Sequence, residues 1–145
     1  MTTRRRRTPV GIQALLDHLT ATTKYFTQRK FYVVYDPKEE QVVARTRAPE
    51  RSWYTIRFRP SIREYSDAYI TSIFIHEVAH VATMKRNTTR RKYGHLESKE
   101  EKTNRDHSKE FWKTYKEMVE RYNRIYGLNI KVIDNPKRDN ERRSK

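Results

Sequence analysis

The chain has 145 residues, 33 Lys and Arg against 18 Asp and Glu, and no cysteine, which gives a formal net charge of +15. That length suits one domain with a modest core, and the missing thiols exclude a disulfide scaffold, Cys-ligated zinc, an iron–sulfur cluster and a cysteine nucleophile. Only 34% of the residues are apolar, below the roughly 45–50% of an average globular chain, and no apolar run approaches the roughly 18–20 residues of a membrane span.

Residues 1–9 read as a basic arm. Arg4, Arg5, Arg6 and Arg7 form an uninterrupted run, but no apolar stretch follows of the kind a secretory signal needs. The composition predicts an intracellular protein. From Val10 onward, Ile12, Leu15, Leu16 and Leu19 fall at i, i+3, i+4 and i+7, one apolar stripe on a helix. Pro9 fits its first turn. His18 falls off the stripe and reads as a surface residue.

The period then changes. Lys30 to Tyr35 is aromatic and β-branched and ends at Asp36-Pro37. Residues 41–47 read as its hairpin partner. Trp53 to Arg59 alternates, with Tyr54, Ile56 and Phe58 on one face and Arg57 and Arg59 on the other, and Pro60 closes it. Three strands in close succession predict an antiparallel meander. A helix begins near Ser66 and carries Ile70, Ile73, Phe74, Glu77, Val81 and Met84 at the 3.6-residue period. A loop marked by Asn87-Thr88-Thr89 and Gly94 follows. A second long helix spans about Asp106 to Tyr126, with Asp106 as its expected cap. Phe111, Tyr115, Met118, Tyr122 and Ile125 lie along it, and Gly127 stops it. Leu128 to Ile133 predicts a last strand. The sum is a single α+β domain over residues 10–134, followed by a basic tail over 135–145.

The charge is unevenly distributed. Residues 1–29 and 107–145 each carry a net +5 and 76–106 carry +3, whereas 30–75 carry only +2. The two ends, Arg4 to Arg7 and Lys137, Arg138, Arg142 and Arg143, are therefore the candidate contacts to phosphate, and nucleic acid is the expected partner. Nothing suggests a membrane.

His76-Glu77-Val78-Ala79-His80 has the pattern H-E-x-x-H. On a helix, i and i+4 project from one face, so both imidazoles can grip one metal ion, with the glutamate placed to take a proton from water. Zinc is the expected ion for neutral imidazoles. A hydrolytic site needs a third ligand. His107, at the head of the second long helix and in phase with Phe111 and Tyr115, is the first choice. His95, in a basic loop, is the alternative.

The run Tyr69 to His80, followed after a variable loop by Asp106-His107-Ser108-Lys109-Glu110-Phe111-Trp112, resembles the SprT-like zinc metallopeptidases and the related WLM metallopeptidases. The resemblance covers roughly residues 30–125. It implies a minimal zincin-like domain, Zn²⁺ held by His76, His80 and His107, and Glu77 as catalytic base and acid. The best-known role of that group is proteolysis of DNA-crosslinked protein, so the implied substrate is a protein, DNA-associated. Two features depart from the group. Ser108 follows the third histidine where Gly is frequent, and no cysteine is present for a C-terminal zinc ribbon. An extended substrate segment is expected along the strand Trp53 to Arg59, taken as a sheet edge. Tyr115 and Tyr122 fit the core better than an oxyanion-stabilising role. The competing expectation is a basic nucleic-acid-binding protein, or a structural protein of a virus particle, that retains a metallopeptidase-like domain.

Overall fold

The computed structural model describes residues 8–38, 44–47, 53–84 and 107–133. Helix α1 spans Pro9–Thr23. The Thr8 hydroxyl accepts from the Gly11 amide at 3.0 Å, and Pro9 occupies the first turn, where a missing amide hydrogen costs nothing. Ile12, Leu16 and Leu19 are buried and His18 is exposed, as the stripe predicts.

Strands β1 (Phe31–Tyr35), β2 (Ala44–Arg47) and β3 (Tyr54–Phe58) form one sheet, but not a meander. The order is β1-β3-β2. β2 pairs antiparallel with β3, Ala44 opposite Phe58, and β1 pairs parallel with β3, Phe31 opposite Tyr54. The expected β1–β2 hairpin is therefore wrong. Burial fits the order. The inward residues of β3, Tyr54, Ile56 and Phe58, are at most 1% exposed, as suits a strand flanked on both sides. β2 offers only Ala44 and Thr46 inward, and its short, basic sequence suits an edge.

Helix α2 spans Asp67–Thr83. Ser66 caps it by accepting from the Tyr69 amide at 3.2 Å, and Asp67 meets the positive end of the helix dipole. Ile70, Phe74, Ile75, Val78, Ala79 and Val81 are buried on several sides of the helix, because the sheet covers one side and another helix the other. Phe74 stacks on Phe58 of β3, centroids 5.6 Å apart. The C-terminal end of α2 is held by Arg29, which donates to the Val81 and Met84 carbonyls at 2.9 and 2.7 Å while its guanidinium lies over Tyr54.

Helix α3 spans Lys109–Tyr126, and its cap comes two residues later than the expected Asp106. Ser108 is the cap, accepting from the Phe111 amide at 3.3 Å; Asp106 lies outside the described residues. Gly127 ends α3 at φ 63°, the left-handed conformation that glycine adopts without strain. Leu128 to Ile133 is not a strand. Its hydrogen bonds go to side chains instead. Asn123 holds Ile130 by both backbone groups at 2.7 and 3.0 Å, Ser72 donates to the Lys131 carbonyl, and the Ile133 amide donates to Tyr115 Oη at 2.9 Å. The result is an α+β fold whose helices cover one face of a three-stranded mixed sheet. Among the described residues no helix is long and apolar enough to cross a membrane.

Candidate metal centre

The middle of α2 brings His76 and His80 to the side facing α3 and Glu77 to β2, and His107 arrives immediately before the α3 cap. One potential ligand atom from each of the three histidines lies within 4.8 Å of the others. The Nε2 atoms of His80 and His107 are 3.2 Å apart. Two nitrogens on one tetrahedral zinc stand about 3.4 Å apart, given Zn–N bonds of about 2.05 Å, so this pair already has the spacing of two ligands on one ion.

The rings are fixed by aromatic neighbours that the sequence pattern placed only in part. Phe111 stacks on His80 at 4.3 Å and meets His76 edge-on at 4.9 Å. Trp112 stacks on His107 at 5.8 Å, and Tyr115 borders His76 at 5.1 Å. Tyr115 Oη and Ser72 Oγ are 2.6 Å apart, and Tyr122 Oη and Thr22 Oγ1 are 3.0 Å apart. Both tyrosines are core residues that tie elements together.

Glu77 is 6% exposed, and both its carboxylate oxygens are engaged. Thr46 of β2 donates to Oε1 at 2.7 Å and also reaches the Glu77 carbonyl at 3.2 Å. His76 Nδ1 lies 3.0 Å from Oε2. Burial pushes the Glu77 carboxyl up, but the hydrogen bond and charge of His76, the charge of His80 and the Thr46 hydroxyl outweigh it and bring it down to about 2. Burial drives the His80 imidazole down to about 3, against the pull of the Glu77 carboxylate. His80 is therefore neutral at neutral pH, and the hydrogen bond from His76 does most to keep Glu77 ionised.

An ionised carboxylate only accepts, so His76 Nδ1 carries the hydrogen, and in the neutral imidazole that leaves the lone pair on Nε2. That Nε2 atom is buried without a hydrogen-bond partner, as is His80 Nδ1. A buried polar atom with no partner is unfavourable unless something unseen satisfies it. A metal ion accounts for the lone pair on His76, and three imidazoles are a ligand set that zinc, among other divalent ions, accepts. The donor set therefore fits the ion that the sequence implied.

Thr46 is the member of the site that sequence reasoning missed. Its only signal was a polar residue at an inward position of a strand. His95 and the arm residues Arg4 to Arg7, Lys137, Arg138, Arg142 and Arg143 lie outside the described residues. The expected substrate strand needs correction. β3 is central, with neighbours on both sides, and among the described strands the sheet edge beside Glu77 is β2.

No protein-family model matches the chain, and no curated protein matches it. Among solved structures it is similar to the crystal structure of the metallopeptidase zymogen of Pyrococcus abyssi abylysin. The identity is 21% over 83% of this chain and 99% of that one, with a TM-score of 0.37.

Proposed function

We propose that the protein is a zinc-dependent metallopeptidase of SprT-like type, brought to nucleic acid by its basic arms and cleaving DNA-associated proteins. The observation that carries the reading is the meeting of His76, His80 and His107 around a buried, ionised Glu77. A metal site serving structure alone has no use for that carboxylate, which favours hydrolysis over the structural alternative.

His76, His80 and His107 would hold the ion. When bound, zinc supplies a Lewis acid that polarises a carbonyl and lowers the pKa of water to about 7. Glu77 takes the proton from the attacking water and delivers it to the departing amide nitrogen. Thr46 fixes Oε1 during both transfers, and His76 holds Oε2. A substrate segment in extended form adds alongside β2, where main-chain hydrogen bonds place its scissile bond near Glu77.

The test measures bound metal in the purified protein and cleavage of basic DNA-binding proteins with and without single-stranded DNA. Wild type is expected to carry about one zinc per chain, and His107→Ala to lose it. Glu77→Gln is expected to keep its metal and lose activity by about 10²-fold or more. A metal-free wild type, or a metal-loaded wild type no more active than Glu77→Gln, refutes the proposal.

A further inference from the structure

The helices cover one face of the sheet, and the other face carries a different chemistry. Tyr54, Ile56 and Phe58 of β3 point inward and are buried, so Trp53, Thr55 and Arg57 point outward. β1 places Phe31 inward and Tyr32 outward, and β2 places Thr46 inward and Arg45 outward. The register gathers these outward residues into rows. Lys30 Nζ lies 5.6 Å from the centroid of the Trp53 ring. Tyr32 stands opposite Thr55, and Arg57 lies between Val34 and Arg45.

Two features of this face are not explained by packing of the core. Trp53 is 51% exposed and Tyr32 47%, so neither ring is taken up by the core. Arg45 and Arg57 are direct cross-strand partners, an arrangement that destabilises a sheet. Asp36 pairs with Arg57 and Arg59 at 2.9 and 2.8 Å, and Lys30 and Arg45 add further positive charge.

We infer that this face is a docking platform for single-stranded nucleic acid, whose bases stack on Tyr32 and Trp53 while its phosphates meet Lys30, Arg45 and Arg57. Flat rings set among cations match a chain that alternates flat bases with phosphates. An acidic peptide would use the cations and leave the rings idle. A duplex keeps its base faces inside the stack and cannot use the rings. The platform lies across the sheet from the histidine cluster and needs neither metal, Glu77 nor the basic arms, so it stands or falls separately from the peptidase reading.

The test uses the full chain and a labelled oligothymidylate of about fifteen nucleotides, followed by fluorescence anisotropy. Wild type is expected to bind it more tightly than an abasic strand of equal length and charge. Tyr32→Ala and Trp53→Ala should each weaken binding by about 5- to 100-fold and erase the preference for bases. Tyr32→Leu and Trp53→Leu keep apolar bulk on the sheet and should fail in the same way. Arg45→Gln should reduce the slope of log affinity against log salt by about 0.7. Equal binding of the abasic strand by wild type overturns the inference. So does unchanged oligothymidylate binding by the ring variants, or equal competition from polyglutamate of matching charge.

Discussion

A carboxylate buried between imidazoles keeps its charge only if its oxygens have donors. Thr46 is one of those donors, from a strand far away in sequence. Thr46→Val keeps the side-chain shape and leaves Oε1 buried without a partner, which should cost about 1–3 kcal/mol of stability by urea denaturation. Thr46→Ser should recover most of it. Acid is the second test at this scale. In the metal-stripped protein, His80 titrates at about 3 rather than 6.5, and Glu77 at about 2 rather than 4.5. In both cases the unfolded chain binds the proton more readily, so stability is full above about pH 6.5. It falls as unfolded His80 gains charge, then again below about 4.5 as unfolded Glu77 is protonated, until the folded values are reached. Each group contributes a slope of at most about 1.4 kcal/mol per pH unit. His80→Gln should remove its share of that slope, from about pH 6.5 down to about 3, read from urea midpoints across pH. The histidines and Glu77 could be read from the sequence because helical spacing is local. Thr46 could not, since pairing between β2 and α2 leaves no mark at a fixed offset.

At the scale of elements, the caps tell where each helix stops. Ser66, Ser108 and Gly127 lie where local chemistry requires them, although Asp106 looked an equally good cap. Gly127 gives a clean measurement, because a Cβ placed there meets nothing within 4 Å. Gly127→Ala should therefore cost about 1 kcal/mol through backbone conformation alone, seen as a lower thermal midpoint. Gly127→Asn should cost less, since asparagine tolerates that conformation. The helices were legible because their apolar periods are long. Strand order was not, since hairpins between sequence neighbours are the default, and only the pairing of β3 with both other strands shows that it is central. The extended run after Gly127 has the composition of a strand. Asn123, Ser72 and Tyr115 satisfy its backbone, and no described strand lies beside it there to make it one.

For the whole molecule, the charge concentrated at the chain ends gives long-range attraction with no sequence preference. Removing residues 1–8 and 137–145 should flatten the salt dependence of DNA binding, by about 0.7 in log–log slope for each phosphate of a single strand that the arms no longer neutralise. Stability should fall only by the cost of losing the Thr8 cap, about 1 kcal/mol, since the buried cluster is built from residues between Ile12 and Ile130. An unchanged slope would assign the electrostatic attraction to the folded domain.

The parallel pairing of β1 has a consequence for synthesis. β1 leaves the ribosome before the strand it pairs with exists, because its neighbour in the sheet is β3 and not β2. β2 and β3 can zip together as soon as both have emerged, but until then Phe31-Tyr32-Val33-Val34-Tyr35 is an unpaired aromatic and β-branched segment of the kind that nucleates aggregation. Lys30 on one side and Asp36-Pro37 on the other bracket it with charge and a residue that cannot extend a ladder. They act as gatekeepers for the nascent chain, a duty imposed by the order of strands rather than by anything the finished protein does.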